Sequence, residues 1–150
     1  MSYDFIKHRV GVDVQRVQQA NKELPAPLPL ELYVKILTLH ELGHALDRPA
    51  LQASLPRTIE IYEMKKKHPL EEQYTHPELL AMRIEEHKMN IAFEEAAWAN
   101  AREMNERYHL ADQQSFEQVK VHSLQTYEKK YQRDLQLYVK LTAAQKEFIA

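Results

Sequence analysis

Apolar side chains recur at three- and four-residue intervals over most of the chain, and that period carries the fold prediction. Between Leu30 and Leu46 no proline interrupts. Leu32, Ile36, Leu39 and Leu46 recur at helical spacing, and Tyr33 and Leu37 share a face with His40 and His44. A helix apolar nearly all round is expected to be buried. It ends near Asp47-Arg48-Pro49, because a proline disfavours helical backbone in the residue before it. A second long helix is expected to run to about Tyr108, with Thr75-x-x-Glu78 as its capping box. Within it Ile84, His87, Ile91, Glu94, Trp98 and Ala101 follow 3-4-3-4-3 spacing, and Phe93, Ala97 and Met104 widen the stripe. After a break near residues 109–113, a long C-terminal helix is expected over 112–141, with a short terminal one from Thr142.

The remaining segments are shorter. Val10, Val12 and Val14 alternate with Gly11 and Asp13, which makes residues 5–14 the strand candidate. A short helix to about Glu23 follows, then a loop through Pro25, Pro27 and Pro29. Residues 49–57 read as loop, 58–67 as a short helix and 68–77 as a polar connection. The expected fold is mainly α, an α+β domain with a minimal sheet, formed as one unit over residues 1–150.

Composition narrows the function classes. The net charge is −2, and Lys65-Lys66-Lys67, the longest basic run, lies among Glu60, Glu63, Glu71 and Glu72. No nucleic-acid partner is expected from such a balance. The chain has no Cys, which excludes thiolate ligands, disulfides and cysteine nucleophiles and fits a reducing, cytoplasmic setting. The first residues lack a signal-peptide pattern, and no apolar run is long enough to span a bilayer, so no membrane association is expected.

The chemistry concentrates at His40-Glu41-Leu42-Gly43-His44. On a helix, positions i and i+4 stand one above the other, so two imidazoles there can share a metal ion. Glu41 would lie beside the ion, placed to take a proton from its water. A chance H-E-x-x-H is expected roughly once in twenty such chains, and the alternative is a pair of hydrogen-bonded core histidines. Burial weighs against it, since polar side chains inside a buried helix are costly unless paired or metal-bound. Gly43 adds to this: inside a helix it costs about 1 kcal/mol against Ala, so it marks a close approach by another backbone.

A catalytic zinc usually has three protein ligands. Asp47 follows His44 at the end of the helix and is better placed to brace the site than to ligate. Position 50 is Ala, so the longer H-E-x-x-H-x-x-G-x-x-H pattern is not completed. Glu94 is the stronger candidate, a carboxylate in the middle of an apolar stripe. Glu95 shares its face with Lys88 and Arg102 and reads as solvent-facing. Asn90 and Trp98 flank Glu94 at i−4 and i+4 and are candidates to brace it or wall the site. His87 is either a donor to substrate or a satisfied core histidine.

His40-Glu41-x-x-His44 on a buried helix, followed by Glu94 on a second helix, resembles the zincin metallopeptidases of the gluzincin type. The stretch His40 to Leu46 with Glu94-x-x-Ala97 is most similar to the small ImmA/IrrE-like bacterial and phage group. The resemblance covers about residues 30–102. It implies Zn2+ held by His40, His44 and Glu94, with Glu41 as general base, in a hydrolase that cleaves a protein or peptide such as a repressor. The oxyanion donor stays open among Tyr74, His76, His87, Tyr108, His109 and His122. A second reading is a non-catalytic, metal-binding regulatory or interaction protein of phage or prophage type. Leu124, Tyr127, Tyr131, Leu135 and Tyr138 form a stripe on the C-terminal helix. It either packs on its own domain or serves a homodimer seam.

Overall fold

A computed structural model describes the backbone of residues 1–149 and the side chains of residues 1–144. The chain is mainly α: seven helices and one two-stranded sheet among the described residues. Its contacts divide it into two compact units, Met1–Gln52 with Ala92–Gln125, and Ala53–Ile91 with the chain from Thr126 onward.

The first unit opens with a hairpin rather than with one strand over residues 5–14. β1 (Ser2–Asp4) pairs antiparallel with β2 (Arg9–Gly11), with Tyr3 opposite Val10. The turn between them is held by Asp4 Oδ1, which accepts from the backbone N–H of Ile6 (3.1 Å) and Lys7 (3.0 Å). The valine alternation misleads because it runs through three local structures. Val10 is in β2, and Asp13 is the N-cap of α1 (Val14–Lys22), accepting from Arg16 N–H at 2.9 Å. Val10, Val12 and Val14 are all exposed.

α1 buries Val17 and Asn21. Asn21 pins the proline loop by exchanging hydrogen bonds with the backbone of Leu28, at 2.7 and 3.0 Å. α2 then spans Leu30–Leu46, with the predicted boundaries. It buries Tyr33, Ile36, Leu39, His40, Glu41 and Gly43, but not its whole circumference: Leu42 and Leu46 are exposed. The core is Val17, Leu24, Tyr33, Ile36, Leu39, Trp98, Ala101, Phe116 and Val119, drawn from α1 and the turn after it, α2, α6 (Pro77–Tyr108) and α7 (Gln113–Ile149). Asn105 closes the turn between the last two helices by bonding both ways with the backbone of Ala111. The side chain of Asp112 then caps α7 through the Ser115 N–H at 2.9 Å.

The prolines of the middle segment do not break structure as expected. α3 (Arg48–Ala53) and α4 (Leu55–Lys67) occupy most of the expected loop. Pro49 and Pro56 each fall in a first turn, where the missing N–H has no helical partner to lose. α5 (Leu70–Thr75) occupies the polar connection. Thr75 is not a cap: its hydroxyl donates back to Glu71 C=O at 2.9 Å, and α6 begins with Pro77. α7 runs without a break through Thr142, so there is no separate terminal helix.

In the second unit Ile61, Met64, Leu80 and Ile84 are buried, and a polar cluster forms around the fully buried Asp134. Asp134 takes His87 Nε2 at 2.8 Å and Arg133 Nε at 2.9 Å, with Arg83 Nε at 3.7 Å. Tyr74 Oη accepts from Arg83 and Arg133. Burial pushes the Asp134 carboxyl up, but its bonds to His87 and Arg133 outweigh that and hold it below the usual range. No helix among the described residues is long and apolar enough to cross a membrane. Asp134→Ala removes the shared anion and leaves two guanidinium groups and an imidazole facing one another. A loss of about 3 kcal/mol is expected, read as a lower midpoint in urea unfolding.

Candidate metal centre

α2 and the second half of α6 build the centre. On α2 the rings of His40 and His44 stand one turn apart, edge to face, with centroids 4.6 Å apart. From α6 the Glu94 carboxylate bridges them: Oε2 lies 2.9 Å from His40 Nε2, and Oε1 lies 3.2 Å from His44 Nε2. One ligand atom from each of the three residues falls within 4.8 Å of the others. Ligands at about 2.0–2.2 Å from a tetrahedral zinc stand roughly 3.5 Å apart, so small side-chain rotations would close this set on an ion. The side chains are only 9%, 12% and 10% exposed for His40, His44 and Glu94. Two neutral imidazoles and a carboxylate suit zinc as a donor set.

The helices can come this close because of Gly43. A Cβ there would lie inside the carbonyl group of Ala97, 2.9 Å from its carbon atom. This is the close approach by another backbone that a glycine inside a helix predicts. Asn100 Nδ2 fastens the same crossing by donating to Gly43 C=O at 3.0 Å.

The electrostatics follow from burial and proximity. Burial works against a charged His40, but the carboxylates of Glu41 and Glu94 on either side of its ring override it and raise its pKa to about 9. Burial also pushes Glu94 up, yet its bonds to His40 and His44 hold it down at about 2. His40 and Glu94 thus offset each other's charge without an ion.

Glu41 is buried, but it is not in the converging group. Its Oε1 lies 3.7 Å from His40 Nδ1, at the ring edge opposite the nitrogen that faces Glu94. Trp98 stacks on His40, with centroids 4.4 Å apart and planes 22° from parallel. Asp47 closes α2 as its C-cap and is not in the group. Asn90 is exposed and belongs to the second unit, as does His87, which is paired with Asp134. The i−4 spacing from Glu94 sets the angle of Asn90 on the helix, not what covers that turn. Glu95 is exposed, as its face predicts. Among the oxyanion candidates, Tyr74 and His76 have partners within the second unit, and Tyr108 and His109 are exposed at the end of α6. Asn100 and Phe116 were not foreseen. An Asn in a helix interior near a buried Glu was the one signal for the first.

No protein-family model, curated protein or solved structure matches the chain.

Gly43→Ala tests the crossing by the sign of its effect. At an open helical site the change stabilises by about 1 kcal/mol; here overpacking should cost roughly 1–3 kcal/mol instead, seen as a lower melting temperature. The ion pair gives a pH signature in the metal-free protein. His40 is raised from 6.5 to about 9, so its contribution is complete below pH 6.5 and lost as pH rises through about 9. Glu94 is lowered from 4.5 to about 2, so its contribution is complete above pH 4.5 and lost as pH falls through about 2. Melting temperature after chelation should therefore fall between pH 6.5 and about 9, with that slope reduced in His40→Gln.

Proposed function

We propose that this chain is a zinc-dependent hydrolase, a metallopeptidase that cleaves a protein or peptide. The convergence of ligand atoms from His40, His44 and Glu94 within 4.8 Å carries the reading. Three protein ligands of this kind leave a fourth position for water or substrate, the pattern of catalytic zinc. Bound there, zinc supplies polarisation of a carbonyl and acidification of a water. His40 and His44 enter as neutral imidazoles, so His40 gives up its proton on binding. Glu41 is the group we assign to move a proton from the attacking water to the leaving amine. For this its carboxylate turns from the Nδ1 edge of His40 toward the side that faces Glu94 and His44. The cytoplasm is the compartment we propose, since a chain without cysteine needs no oxidising environment to complete its fold. Tyr127, Tyr131, Leu135 and Tyr138 are half-buried, and the surface they keep is what a homodimer through α7 would use.

One observation favours a second reading. Glu41 sits where a carboxylate orients a metal-ligating histidine through its other ring nitrogen. In that role the chain is a non-catalytic metal-binding regulatory or interaction protein, of the phage or prophage type that the motif resembles.

Metal content of the purified protein, by mass spectrometry, tests both readings against a metal-free pair of core histidines. Peptide-library cleavage then separates them. The hydrolase reading expects about one zinc per chain and chelator-sensitive cleavage, with Glu41→Gln keeping the zinc and losing activity about 100-fold or more. Zinc without cleavage supports the second reading, and a chain that takes up no zinc removes both.

A further inference from the structure

We infer that Trp98 is a positioning residue for His40, and that Phe116 holds Trp98 in place. The inference rests on the metal-site reading above and adds to it how one ligand is aimed.

An imidazole turns easily about the bond to its ring, because that torsion is broad and roughly two-fold. A ligating histidine therefore needs something to fix its plane. For His40 the Trp98 face supplies it, 22° from parallel at 4.4 Å. With the plane set, the two ring edges meet different partners: Glu94 Oε2 at Nε2 and Glu41 Oε1 at Nδ1. The indole has no freedom to follow a tilting imidazole. It is fully buried, and Phe116 from α7 meets it edge-on at 5.5 Å and 82°. Phe116 is itself 2% exposed.

The indole N–H points to the same role. Trp98 Nε1 is buried and has no hydrogen-bond partner among the described residues. A leucine or phenylalanine would fill this part of the core without leaving a donor unpaired. What tryptophan adds is a broad flat face, and that face lies on His40.

The test is zinc affinity, measured by competition with a chromophoric chelator, together with the visible bands of the cobalt(II)-substituted protein. Trp98→Leu should bind zinc about 10-fold or more weakly, the scale of lost support behind a ligand, and should change the cobalt bands. Trp98→Phe, which keeps an aromatic face, should recover most of the affinity and the wild-type bands. Phe116→Leu leaves the indole and removes its prop, so a smaller loss is expected; it also serves if Trp98→Leu does not fold. Wild-type affinity and bands in both leucine variants, even with lower melting temperatures, would reduce Trp98 to core packing and overturn the inference. A wild-type protein that takes up no zinc is the different failure, that of the metal-site reading itself.

Discussion

At Gly43 the backbone of α2 comes against the carbonyl of Ala97 with no room for a methyl group between them. Helices usually pack with axes about 8–10 Å apart, spaced by their side chains; a glycine at the crossing allows a closer fit. The carboxylate of Glu94, one turn before Ala97, thereby reaches both imidazoles of α2. Asn100, three residues after Ala97, ties the same glycine from the other side. Spacing between two backbones thus sets the geometry of three polar side chains, and the stack of Trp98 on His40 forms at the same crossing.

A buried carboxylate and two buried imidazoles are costly separately. Together they share a proton and hydrogen bonds, so that burial, which opposes charge on each, is outweighed for His40 and Glu94. The same solution appears in the second unit, where Asp134 is fully buried and is compensated by His87 and Arg133. The two clusters differ in what surrounds the carboxylate. Asp134 has a permanently charged guanidinium beside it. Glu94 has only imidazoles, which can give up protons and bind a cation instead.

Much of the first cluster was legible in the sequence because it depends on helical periodicity. The i, i+4 spacing put His40 and His44 on one face, the apolar stripe of α6 singled out Glu94, and a glycine inside a helix announced the crossing. The bounds of α2 were legible for the same reason, being set by prolines and a long uninterrupted pattern. Short elements were not. Val10, Val12 and Val14 satisfy a two-residue period while belonging to a strand, a linker and a helix start. Pro49 follows the end of α2 as expected, but it also opens α3, and Pro56 opens α4, where a loop was expected. Exposure of Leu42 and Leu46 was also hidden, since apolarity says what can be buried and not what is there to cover it. Bonds between residues distant in the chain, such as Asn100 to Gly43 and His87 to Asp134, leave no local pattern.

The pairing of His40 with Glu94 bears on the order of events after synthesis. Small domains organised around a metal commonly stay unfolded until the ion arrives, because their ligands repel or go unpaired without it. In the first unit an apolar core of nine residues includes none of the three polar groups, although its Trp98 stacks on His40, and Glu94 lies against both imidazoles. On the metal-site reading proposed above, the chain would reach its folded state before an ion arrives, because neither the apolar core nor the His40–Glu94 pair needs one. Loading would then exchange the His40 proton for the ion in a finished protein, governed by metal supply rather than by the folding rate.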